Sequence, residues 1–146
     1  MFLQIKKIPR LSWSSKSARN LRPSFKTLFL LCFGLILFGL GEGLLIISTI
    51  GASPWNVFHQ GLFLNLGLSI GTWAFLVSLL VLLLWFFLDE KIGVGTILNF
   101  VIIAIMIDLS VYFFEPPKLW ANQFLLCVVS VLMVGLGSGI YLIARL

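Results

Sequence analysis

Four long stretches of this chain are almost free of charge, and they leave it few ways to fold. They run from about Leu28 to Ile50, Thr72 to Leu88, Thr96 to Phe114 and Ala121 to Ile143. The first, as a helix rising about 1.5 Å per residue, is roughly 34 Å long, enough to cross a bilayer. In hydrocarbon no water pairs a free backbone N–H or C=O, so such stretches must be helices. Composition supports this. Hydrophobic residues make up 60% and charged residues 10%, where a soluble domain carries roughly 25% charged residues. A water-facing exterior cannot be assembled from what remains. The fold expected is all-α: a polytopic membrane bundle of four transmembrane helices, with one short amphipathic or re-entrant helix after the first.

Charge is distributed unevenly. Residues 1–27 hold Lys6, Lys7, Arg10, Lys16, Arg19, Arg22 and Lys26 and no acid. This reads as a cytoplasmic juxtamembrane arm beside anionic lipid, with residues 28–146 as the transmembrane domain. The apolar run after it is longer than the core of a cleaved signal peptide. The expected location is the bacterial plasma membrane, with the N-terminus cytoplasmic. Gly51–Ile70 and the Glu115–Leu119 turn then lie outside, and the Asp89–Val94 turn inside. Expected partners are the lipid bilayer and either a second copy or another membrane protein, not nucleic acid.

The stretch "GASPWNVFHQG", Gly51 to Gly61, breaks the oily pattern. Ser53 and Pro54 make a helix start, a capping side chain followed by proline in the first turn. About 13 residues from Pro54 to Leu66 give roughly 20 Å, too short to span alone. Asn56, His59 and Gln60 share one face, and an apolar strip lies beside it. Such a helix either lies on the outer leaflet or dips into the bundle with its polar face on a cavity. The next two spans open with "SIGTWAF" and "GVGTILNF", where Thr72 and Thr96 are expected to cap.

Two acids lie within the spans. Glu42 is about 21 Å and Asp108 about 18 Å from the inner ends of their helices. A charge facing lipid there costs on the order of 3 kcal/mol, so both should face protein. Tyr112, one turn beyond Asp108, is placed to reach it. Glu42, Asp108, His59, Gln60 and Asn56 together form the candidate ion- or solute-linked site. The competing reading has each acid fixing helix contacts. Cys32 and Cys127 match no metal or redox spacing. With no metal cluster, cofactor motif or nucleophile–base pair, neither metal nor cofactor nor enzymatic activity is expected.

Glycines supply a third feature. Gly39 with Gly43, and Gly135 with Gly139, form G-x-x-x-G pairs that let helix backbones approach. The first and fourth spans are expected to pack through them, with each other or with another copy. "GLGEGLLIISTI", Gly39 to Ile50, is echoed by "GLGSGIYLIARL", Gly135 to Leu146. The echo reads as one repeat plus the first helix of a second, in the inverted topology common in transporters.

"IGASPWNVFHQGL", "GLSIGTWAFLVSLLVLLLW" and "GVGTILNFVIIAIMIDL" resemble the YczE/YyaS/YitT group of bacterial membrane proteins, most closely its YczE branch. The resemblance runs from about Gly34 to the C-terminus. It assigns no activity. It implies a group pattern continuing past "GLGSGIYLIARL" into a second Gly-Pro element, so that this chain is C-terminally short against it. From the residues two functions compete: a permease-like protein for a small solute with proton or cation linkage, and a non-catalytic scaffold or accessory subunit acting through glycine-faced helices.

Overall fold

The computed structural model describes residues 12, 14, 15, 23–88 and 92–144, with only the backbone described for 86 and 87. The basic residues Lys6, Lys7, Arg10, Lys16, Arg19 and Arg22, and the "DEK" turn, lie outside the described residues. Five helices follow one another: α1 (Phe25–Ile47), α2 (Pro54–Leu66), α3 (Ile70–Phe87), α4 (Val94–Phe113) and α5 (Trp120–Ala144). Helices α1, α4 and α5 are each long and apolar enough to cross a membrane. Helices α2 and α3 pass only as a pair bent by 112°, which makes the total three, or four if the bent pair is one span.

Serines set several helix starts. Ser24 accepts the Thr27 N–H, so α1 begins before the expected Leu28. Ser53 accepts the Asn56 N–H and Pro54 opens α2 as expected. Two expectations are corrected. Ser69, not Thr72, caps α3, and Thr72 donates its N–H to the Ser69 hydroxyl at 3.0 Å. Gly93, not Thr96, stands at the N-cap of α4, with no side-chain cap. In both, the helix begins earlier than expected, so the threonine sits inside the first turn.

Helix α2 turns by 112° against α3 and so lies across the end of the bundle rather than along it. The corner uses two consecutive residues of positive φ, Gly67 at 74° and Leu68 at 64°. The left-handed region is open to glycine and strained for leucine. The Trp73 indole N–H donates to the Gly67 carbonyl at 2.6 Å and pins the corner from inside α3.

Helix α1 is central. It runs parallel to α4, with Gly39 against Ile103 and Met106 and Gly43 against Ile107 and Ser110. It runs antiparallel to α5, with Gly34 against Gly137 and Tyr141, and Gly41 against Ser130 and Val134. Helix α3 runs antiparallel to α4, Gly71 lying against Ala104 and Asp108 and Phe75 meeting Phe100 at 5.3 Å. Two small apolar clusters hold these contacts. Leu31, Leu35 and Ala144 join α1 to α5 at one end, and Ile70, Ala74 and Ile107 join α3 to α4 at the other. At the first end the Ser15 N–H donates to the Ala144 carbonyl at 3.0 Å, placing part of the N-terminal arm beside the end of α5.

The α1–α5 contact maps onto itself. In the alignment that matches Gly39 with Gly135, Gly41 matches Gly137, Gly34 matches Ser130 and Phe38 matches Val134. Gly41 lies against Ser130 and Val134, and Gly137 lies against Gly34 and Phe38. The echoed G-x-x-x-G pairs behave differently. Gly39 and Gly43 are buried against α4, whereas Gly135 and Gly139 are exposed and have nothing within 4 Å of a built Cβ. Helices α1 and α5 therefore meet through Gly34, Gly41 and Gly137, one helix face away from Gly135 and Gly139.

Candidate functional site

The membrane acids have assignable partners. Glu42 is buried on α1. Its Oε2 accepts from the Ser53 hydroxyl at 2.7 Å and from Asn56 Nδ2 at 2.6 Å. Asn56 Nδ2 also reaches the Glu42 carbonyl, at 3.1 Å. Ser53 is at once the cap of α2 and a ligand of the carboxylate, so Glu42 sits at the positive end of a helix dipole. Charge-assisted bonds of this kind are among the stronger ones a protein makes.

Asp108 does the same for α3. Its Oδ1 accepts the Gly71 N–H at 2.7 Å, and its Oδ2 accepts from the hydroxyl of Ser69, the α3 cap. Gly71 must be glycine for this: a Cβ there collides with the Ala104 carbonyl and, at 2.6 Å, with the Asp108 carboxyl carbon. The motif "SIGTW" thus acts as a latch. Ser69 and Gly71 hold Asp108, and Trp73 holds Gly67. The expected Tyr112–Asp108 contact does not form. Tyr112 is 82% exposed and its ring meets Phe113 at 5.0 Å, because α3 occupies the carboxylate's side of α4.

Between α1 and α3, over α4 and under α2, lies a cavity of about 480 Å³. That size falls in the range of small-molecule pockets, roughly 300–1,000 Å³. Its α2 end is polar, built from Glu42, Ser53, Asn56 and His59. Its length is largely apolar, with Val77, Val81 and Ile103 among the walls, and Asn99 and Thr96 lie on α4 towards the opposite end. His59 is 6% exposed, and neither Nδ1 nor Nε2 has a hydrogen-bond partner. A buried imidazole with both nitrogens unpaired is costly, and each such group asks for an explanation. The Trp55 and Phe58 rings flank it at 6.2 and 6.1 Å.

Of the five residues proposed from sequence, the structure brings Glu42, Asn56 and His59 to this cavity. Asp108 and Gln60 are not among its lining residues. Sequence reading missed Ser53 and Ser69 as carboxylate ligands and the aromatic walls Trp85 and Phe100. A serine one residue before an apolar helix was the available signal for the first two. Among the described residues no cluster of three His, Cys, Asp or Glu side chains is placed to hold a metal ion.

Comparison with known proteins agrees with the membrane architecture. The chain is 33% identical over 143 residues to an uncharacterised protein of Haemophilus influenzae, covering 98% of this chain and 65% of the relative. It is 30% identical over 115 residues to the uncharacterised membrane protein YczE of Bacillus subtilis, covering 77% of this chain and 54% of that one. It is 34% identical over 115 residues to YyaS of the same organism, covering 75% and 56%. The chain thus spans between about half and two thirds of the length of these relatives. No solved structure matches. Residues 25–146, from the first residue of α1 onward, match the model of a family of unknown function, and the chain belongs to that family, DUF6198.

Proposed function

We propose that this protein is a permease-like membrane protein that holds a small solute in the cavity beneath α2, with Glu42 as the ion- or proton-linked group and His59 as a solute contact. The observation that carries this reading is His59, buried at the polar end of the cavity with both ring nitrogens unpaired. Polar groups inside a membrane are expensive and mark solute and ion pathways. Asp108 is assigned a structural part, since both its oxygens are engaged by α3. The proposed arrangement has α3 as a fourth crossing, because it packs antiparallel along α4. It places the N-terminus in the cytoplasm of a bacterial cell, by the basic arm.

The test needs no known substrate. Single cysteines replace Val77 and Asn99, which line different parts of the cavity, in a chain with Cys32 and Cys127 changed to alanine. Labelling by a small membrane-impermeant thiol reagent is compared in intact cells and inverted vesicles. A permease labels at these positions from both sides. Labelling from one side only, at both positions, removes permeation.

A second reading is favoured by one observation. Gly135 and Gly139 stand on α5 where Gly39 and Gly43 stand on α1, yet no described helix sits on them as α4 sits on α1. In this reading the chain is a non-catalytic subunit and a neighbouring helix seats on that face. Its test is loss of a cross-linked dimer or co-purifying membrane partner in Gly139→Leu.

A further inference from the structure

We infer that the cavity selects an organic cation, an amine or ammonium head on an apolar body. This rests on reading the cavity as a solute site and adds the class of solute. Three features of the lining point the same way.

The first is charge. Among the described side chains that line the cavity, Glu42 is the sole acid, and none is a lysine or arginine. Ser53 and Asn56 both bond Oε2. Oε1 has no hydrogen-bond partner among the described residues. A carboxylate buried as Glu42 is attracts a cation and repels an anion more strongly than it does in water.

The second is the aromatic wall. Phe38, Trp55, Trp85, Phe100 and Tyr141 all line the same space. Ring faces carry negative potential and attract a cation that passes over them. The same rings and the aliphatic residues between them solvate an apolar body.

The third is His59. A neutral imidazole offers one acceptor nitrogen and one donor. The acceptor suits an ammonium N–H beside Glu42. A purely apolar molecule leaves both His59 and Glu42 Oε1 unpaired. Among the described lining residues, one carboxylate and neutral side chains fall short of the six to eight oxygens a calcium ion takes.

The experiment uses three probes with one skeleton: 4-phenylbutylamine, 4-phenylbutanol and 4-phenylbutyric acid. Binding to the full chain in nonionic detergent is measured at pH 7 by isothermal titration. The amine is expected to bind at least tenfold more tightly than the alcohol, and the acid not at all. Glu42→Gln is expected to weaken the amine at least tenfold, and His59→Phe several-fold, with circular dichroism unchanged. Glu115→Gln, in the turn after α4 and off the cavity lining, is expected to leave it unchanged. Equal binding of alcohol and amine, with loss of both in His59→Phe, overturns the cation preference and leaves the solute site standing. Binding of no probe to well-folded protein overturns both, and amine binding unaffected by Glu42→Gln and His59→Phe overturns the assignment to this cavity.

Discussion

Glu42 and Asp108, on different helices, each grip the N-terminus of one half of the same bent pair. Glu42 holds α2 through Ser53 and Asn56, and Asp108 holds α3 through Ser69 and the Gly71 N–H. A buried acid, a half-buried acid and two helix dipoles thereby offset one another, and a helix lying crosswise is anchored to upright ones. The description of α2 as a surface element or as a buried one is incomplete without this: its tip is fastened inside, while Trp55, Val57 and Leu64 on it are exposed.

Loss of the Asp108 latch should loosen α3. Asp108→Leu removes the partner of Ser69 and of the Gly71 N–H, and hydrogen bonds to charged groups contribute about 1.5–3 kcal/mol each. The expected outcome is a lower thermal midpoint in detergent, followed by tryptophan fluorescence, with Asp108→Asn losing less. An unchanged midpoint in Asp108→Leu would contradict the latch.

Gly71→Ala should be as damaging as Asp108→Leu, because the added methyl meets the Ala104 carbonyl and the Asp108 carboxyl rather than a flexible side-chain end. Overpacking costs typically about 1–3 kcal/mol. Gly61→Ala, with nothing within 4 Å, is the matched control and should be tolerated. The comparison is read from the yield of monodisperse protein on gel filtration.

The glycines of α5 should divide by face. Gly137→Leu drives a side chain into the Phe38 and Gly34 backbone, where even a Cβ falls at 2.6–2.9 Å. It should separate α1 from α5. Gly135→Leu and Gly139→Leu point away and should leave the chain's own fold intact. Disulfide trapping between cysteines placed at Phe38 and Tyr141, whose rings sit 6.1 Å apart, reports the separation.

The Trp73 indole bond to Gly67 predicts a modest effect at the corner. Trp73→Phe keeps the ring and loses a donor, for a cost of about 1 kcal/mol. Faster proteolysis between α2 and α3, with binding at the cavity weakened only slightly, is the expected readout. Equal cleavage rates would mean the corner stands without the indole.

Topology is checked by labelling single cysteines at Leu64, Glu90 and Lys118. Leu64 serves as the outer reporter on α2 because it is 78% exposed. Leu64 and Lys118 should label from outside and Glu90 from inside. The reverse pattern would invert the orientation proposed from the basic arm.

The order of elements in this protein was legible from the chain. Unbroken apolar stretches, the Ser-Pro start at Ser53 and the paired prolines Pro116 and Pro117 are local signals, and α1 to α5 follow them to within a few residues. What faces what was decided by tertiary structure alone. Helices apolar on every side carry no stripe to fix their rotation, so nothing in the spacing separates Gly137, packed on Phe38, from Gly135, facing out. Nor does local sequence tell that Asp108 is met by Gly71, 37 residues earlier, rather than by Tyr112 one turn away. Those choices depend on how close two backbones come, and glycine at Gly43 and Gly71 permits an approach that only the assembled bundle reveals.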